Sequence, residues 1–282
     1  MTDIAPAAIA GDGGRHVTRT AGATLWAASL EAARRTALQY LRTPQMLVLQ
    51  TVMVTLFLFI YRYVLGGAIA TGSSVDYVHY LVPGFIVTTI LWTGMNAPAG
   101  VAQDAASGVH DRLRSLPIPR SAVMAGRSFA DTALGCWTLF TTTALGVAVG
   151  FRTQGDAGSV LLAVAVLLAA TYTFSWVFIA LGLVASNAQA AQGMASVVVV
   201  PFTFMSSAYV PIDSMPGWMQ AVASNQPVTA VINAVRSLLL GGTDAAGIDH
   251  STTYWVTLSL VWCAGLLVVF SAIAIARFTR KR

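Results

Sequence analysis

Lysine is almost absent from this chain: of its 282 residues only Lys281 is one. A P-loop nucleotidase needs GxxxxGK[ST], whose lysine reaches the β- and γ-phosphates. Lys281 follows no glycine-rich loop, so ATP hydrolysis by that chemistry is excluded for this chain. Charge of either sign is scarce too. Asp, Glu, Lys and Arg make up 10% of the residues, against about 25% in a soluble domain. There are two cysteines, Cys136 and Cys263, each inside an apolar stretch and neither in a CxxC; they read as small packing residues. His16, His79, His110 and His250 are scattered singly, which gives no metal-ligand spacing. A GxSxG elbow, an HExxH pair and a carboxylate couple for acid–base work are missing as well. No bound cofactor is expected.

What remains is apolar. Hydrophobic residues make up 56% of the chain and the mean hydropathy is +0.70. Crossing a bilayer takes about 20 mostly apolar residues per helix. Six stretches qualify: 46–65, 80–101, 122–149, 160–185, 194–210 and 254–276. The fifth is the shortest and contains Pro201; Asn96 and Pro98 interrupt the second. The expected fold is an all-α membrane protein of six transmembrane helices, one transmembrane domain over 21–282. The first 20 residues, rich in Ala, Gly and Thr, lack the apolar core of a signal peptide and read as a disordered tail.

The net charge of +5 does not point to nucleic acid, because the arginines cluster at the ends of apolar segments rather than along a stripe. Five lie before the first span, at Arg15, Arg19, Arg34, Arg35 and Arg42. Four lie around the second connection, at Arg112, Arg114, Arg120 and Arg127. Four basic residues close the chain, at Arg277, Arg280, Lys281 and Arg282. Basic residues are retained on the cytoplasmic side, so both termini are expected there and the number of spans is even. Arg62 sits near the outer end of the first span and can snorkel.

Two segments do not cross. Trp26, Leu30, Ala33, Ala37 and Leu41 recur on one helical face, with Glu31, Arg34, Arg35, Gln39 and Arg42 on the rest. This predicts an amphipathic interfacial helix, serving as a lipid anchor or as a docking surface. Between the fifth and sixth spans, Pro and Gly breaks delimit two short helices near 218–224 and 228–240. They predict a re-entrant hairpin on the outer side.

Candidate functional groups are few. Asp131 follows Arg127 by four residues, a spacing at which helical side chains meet. It reads either as a structural ion pair or as the coupling carboxylate of a proton-driven multidrug transporter. Phe85, Trp92, Met95, Asn96, Phe202 and Met205 surround the helix interruptions and are the candidate lining of a substrate path. A membrane-embedded transferase would need polar groups clustered at one depth, which the sequence does not display.

The connection between the second and third spans runs Gln103-Asp104-Ala105-Ala106 and on to His110-Asp111-Arg112-Leu113-Arg114, ending Pro117-Ile118-Pro119-Arg120. It reads as a short charged helix stopped by prolines. Here the chain resembles the permease subunits of type-2 ABC exporters of the daunorubicin-resistance group. Those permeases carry an acidic residue, an arginine-rich helix and a Pro-x-x-Arg ending in this loop. The outer segment is similar too, with Pro211–Trp218, Asn225–Pro227 and Arg236–Gly241 in the family's order. One departure is Ala105-Ala106 after Asp104, where the family often has Glu-Arg or Glu-Lys. The resemblance implies a non-enzymatic bacterial cell-membrane subunit that pairs with a second permease, either another copy or a homologue. It also implies a separate ATPase holding ATP and Mg, and a small amphipathic cargo. Arg34, Arg35, Asp104, Asp111, Arg112, Arg114 and Arg120 would meet that ATPase.

The basic-residue asymmetry makes topology testable. Cysteines introduced at Ser107 and Thr279 should react with an impermeant reagent only after lysis. One at Ala245 should react in intact cells, and external labelling of position 107 would reverse the orientation.

Overall fold

The computed structural model describes residue 38 and residues 44–66, 76–108 and 120–280. The interfacial helix, the tail at 1–20 and most of the charged connection (109–119) lie outside these. Among the described residues every regular element is helical. α1 (Pro44–Phe59) runs on into a π-helical stretch, Ile60–Leu65. α2 spans Tyr77–Gly94 and α3 Ala97–Ala106; α4 is Arg120–Ala148 and α5 Ala157–Val184. α6 is Ala188–Phe204, α7 Gly217–Asn225, α8 Pro227–Leu239, α9 Thr243–Ala246 and α10 Thr252–Arg280.

Local chemistry sets these boundaries. Asp156 and Asn187 are N-caps whose side chains accept the Ser159 and Ala190 N–H groups, satisfying donors that a helix start leaves open. α8 opens on Pro227, whose missing N–H costs nothing there. It ends at Gly241, whose φ of +79° suits glycine. The α4–α5 loop covers that end, since Thr153 Oγ1, Gln154 N and Gly155 N all donate to Leu239 O.

Among the described residues four stretches are long and apolar enough to cross a membrane: Leu47–Val64, Tyr77–Ala106, Ala157–Val184 and Thr252–Thr279. α4 is 29 residues long but less apolar, and α6 has 17 residues. The interruption expected in the second span is present: the chain breaks at Met95–Asn96, where Pro98 has no N–H for an unbroken ladder. Two sequence expectations need correction. Residues 103–106 belong to α3 rather than to a separate loop helix. The fifth apolar segment is helical only to Phe204, and residues 205–211 turn back irregularly. The two short helices between the fifth and sixth segments, α7 and α8, lie within one or two residues of their expected bounds.

α5 is the hub and packs on α2, α3, α4, α6, α8 and α10. In the most apolar 18 residues of each span, 83% are buried in the α2–α3 stretch, against 11% in the span that begins in α1 and 17% in α10. Those outer helices expose Val48, Leu49, Val52, Leu56, Val261 and Val268, a surface suited to lipid rather than water. Apolar burial drives helix association weakly in lipid, so close backbone packing and hydrogen bonds take over. Ser128 meets Ser175 at 2.9 Å across α4 and α5. Gly182 lets α5 approach Pro98 of α3, and Gly84 lies against the Ala208 backbone.

The 205–211 turn is held by Arg236, which is fully buried in α8. Its Nη2 donates to Ser207 O at 2.7 Å, its Nε to Tyr80 O at 3.2 Å and its Nη1 to Asn233 Oδ1 at 3.2 Å. The guanidinium carbon sits 3.8 Å from the Tyr80 ring centroid, a cation–π contact. Tyr80 Oη also donates to Ser207 O, and Gln226 Nε2 to Met205 O.

Gly84→Ala would drive a Cβ into the Ala208 carbonyl and should destabilise the protein by about 1–3 kcal/mol. Gly193→Ala, with nothing within 4 Å of the new Cβ, should be neutral or stabilise by roughly 0.5–1 kcal/mol. Unfolding midpoints in detergent compare the two; equal loss would mean that the α2–turn contact is not tight.

Candidate functional site

A cavity of about 490 Å³ lies between α1, α2 and α4, with Phe204 and Tyr209 at one side. Pockets for small molecules are typically about 300–1,000 Å³. Its walls are aromatic: Phe57, Tyr61, Phe85, Trp92, Phe204 and Tyr209. Tyr61 and Tyr209 stack with centroids 4.3 Å apart and planes at 4°. Tyr209 Oη donates to Thr88 Oγ1 at 3.0 Å, and Tyr77 Oη to Tyr209 O at 3.4 Å. The irregular turn behind Arg236 therefore supplies one end of the cavity.

One polar seam interrupts these walls. Gln50 Nε2 donates to Thr93 Oγ1 and Thr138 Oγ1, both at 2.6 Å. Thr93 and Thr138 are 3.1 Å apart, and Thr89 and Thr142 continue the row at 3.3 Å. The seam joins α1, α2 and α4 by groups that hydrocarbon cannot solvate.

Of the six residues expected to line a path, Phe85, Trp92 and Asn96 do line this cavity. Met95 is buried elsewhere in the core, Phe202 is exposed and Met205 lies in the turn. Sequence reasoning missed Gln50, Thr93, Thr138, Tyr61 and Tyr209. Gln50 did carry a signal, as the only amide in the first apolar run. Its partners are 43 and 88 residues away, and no local pattern reveals them.

A second cluster lies where α3 meets α4. Arg127 Nη1 is 2.8 Å from Asp104 Oδ2, and its Nε is 3.6 Å from Asp131 Oδ2. Its Nη2 donates to Ala97 O at 3.4 Å and packs over Gly100. All three charged side chains are mostly buried. The structure thus joins Asp104, expected at a partner surface, to the Arg127–Asp131 pair. Arg34, Arg35, Asp111, Arg112 and Arg114 lie outside the described residues; Arg120 opens α4, and its side chain lies outside them too. Among the described residues no group of His, Cys, Asp or Glu is arranged to hold a metal.

Residues 30–240 match the profile of the ABC-2 type transporter family. The chain is 32% identical to the daunorubicin resistance ABC transporter permease protein DrrB1 of Streptomyces coeruleorubidus, over 93% of this chain and 90% of that one. It is 26% identical to the probable doxorubicin resistance ABC transporter permease protein DrrC of Mycobacterium tuberculosis, over 77% and 76%. To the inner membrane transport permease YadH of Escherichia coli it is 22% identical, over 90% and 91%. With helices of membrane-crossing length and composition and a family profile that covers most of its length, the chain is a multi-pass membrane protein and belongs to the ABC-2 type transporter family.

Proposed function

We propose that this chain is the permease subunit of an ABC exporter, moving a small amphipathic, drug-like or lipid cargo outward with ATP hydrolysed on a separate subunit. The observation that carries this reading is the family match over residues 30–240 in a chain with one lysine and no P-loop. The names of the daunorubicin- and doxorubicin-resistance relatives support a drug-like cargo. In this reading α4 and α6 join the four stretches of clear membrane-crossing character to make six spans. α8 has 13 residues, about 20 Å of helix, too short to cross roughly 30 Å of hydrocarbon. It forms with α7 the outer re-entrant hairpin. Both termini are cytoplasmic, and the exposed faces of α1 and α10 meet lipid and a second permease.

The partner ATPase, with its ATP and Mg, docks on the basic interfacial helix around Arg34 and Arg35 and on the segment carrying Asp111, Arg112, Arg114 and Arg120. The Asp104–Arg127 ion pair ties α3, which leads into that segment, to α4. A push from below would reach two spans together. A proton-coupled transporter is less well supported, since Asp131 shares Arg127 with Asp104 instead of standing alone in the membrane.

Charge reversal tests the docking. Like-charge contacts at an interface cost several kcal/mol, so Arg112→Glu with Arg114→Glu should lower partner capture and cargo efflux at least about tenfold. Membrane insertion should stay normal, because the spans keep their packing. Wild-type capture and efflux would reduce the segment to a plain connector.

A further inference from the structure

The hydrogen bonds around Gln50 dictate what the cavity can recognise. Thr93 Oγ1 donates to Thr89 O at 2.8 Å, and Thr138 Oγ1 to Leu134 O at 3.2 Å. Each hydroxyl has one proton, which goes to its helix carbonyl or, for one of the pair, to the other threonine, and so is used within the seam. The oxygens can then only accept from Gln50, which turns both amide N–H groups toward them. Nothing among the described residues donates to Gln50 Oε1, which is left as an acceptor on a mostly apolar wall whose other polar groups are the Thr89, Thr93, Tyr61 and Tyr209 hydroxyls and the Asn96 amide. Among the described residues around the cavity there is no Asp, Glu, Lys, Arg or His. A charged guest would lose its hydration there without a counter-charge.

We propose that the cavity between α1, α2 and α4 binds an uncharged, flat aromatic ligand carrying a hydroxyl or N–H, which donates to Gln50 Oε1. The ring stacks among Phe57, Tyr61, Phe85 and Trp92, where offset and edge contacts with flat π-systems are favourable. A lipid tail fits less well, because it leaves the Gln50 acceptor buried and unpaired. That such a ligand is the exported cargo rests on the permease reading above; its binding does not.

The test uses the purified full chain in phosphatidylethanolamine–phosphatidylglycerol nanodiscs, with tritiated 6-hydroxyflavone as probe and empty discs as background. The wild type should bind it about tenfold more tightly than 6-methoxyflavone, which has the same skeleton and no donor. A trimethylammonium derivative of the hydroxyflavone should bind still more weakly. Gln50→Leu should erase the hydroxyl–methoxy difference, a loss that general unfolding would not mimic while methoxyflavone still binds. Leu134→Trp, which fills the cavity from α4, should abolish binding of both. Equal binding of the two flavones by the wild type would overturn the proposal, as would discrimination that survives Gln50→Leu. Export by the complex with its ATPase is read separately. If export depends on ATP while the cavity variants change neither binding nor export, the site falls and the permease reading stands. If binding discriminates as expected but transport persists without the ATPase, the permease reading falls and the site stands.

Discussion

A guanidinium buried with no carboxylate beside it among the described residues must find its partners in neutral oxygens and π-electrons, and Arg236 does so. Bringing a lone cation out of water costs far more than one hydrogen bond returns. Arg236 is fully buried only because Ser207 O, Tyr80 O, Asn233 Oδ1 and the Tyr80 ring converge on it. Those partners come from α2, from the irregular turn after α6 and from α8 itself. The arginine therefore specifies how the turn closes over the bundle. Removing it would take a donor from the Tyr80 and Ser207 carbonyls, leaving Tyr80 Oη as the remaining side-chain donor to Ser207 O.

The cavity depends on that closure. Tyr209 is placed by the turn, stacks on Tyr61 of the π-helical stretch after α1 and hydrogen-bonds Thr88 of α2. Gly84 allows the turn to approach α2 closely enough for these contacts. The other side of the space is set by Gln50, which ties the largely exposed α1 to α2 and α4. Double-mutant measurements of polar contacts between membrane helices average only about 0.6 kcal/mol, so the seam specifies a register more than it adds stability. Toward the end of α3, Arg127 plays a comparable part for α3 and α4 through Asp104 and Asp131.

Much of this architecture was legible in the residues. The apolar runs marked the helices, because a chain in hydrocarbon must satisfy its backbone internally. Pro216, Pro227 and the Gly241–Gly242 pair marked the short helices α7 and α8, since proline starts helices well and glycine ends them. Asp131 four residues after Arg127 was visible as a helical neighbour. Asp104 was visible only as a charge near a loop, since its contact with Arg127 joins different helices. Phe202 and Met205 were assigned to a path by their proximity to Pro201. That proximity cannot say which way a side chain faces once the helix has ended at Phe204.

By itself the sequence determined membrane residence, the helical class, the lack of a P-loop motif and the resemblance to the family, because composition, hydropathy and short motifs are local quantities. Only the tertiary structure decided that Arg236 is a buried clamp, that Asp104 belongs with Arg127, and that Gln50 faces a cavity with an unused acceptor. Each of these is a contact between residues more than 20 positions apart. Packing of helix on helix brings such residues together, and hydrophobic periodicity along one helix carries no record of its neighbour.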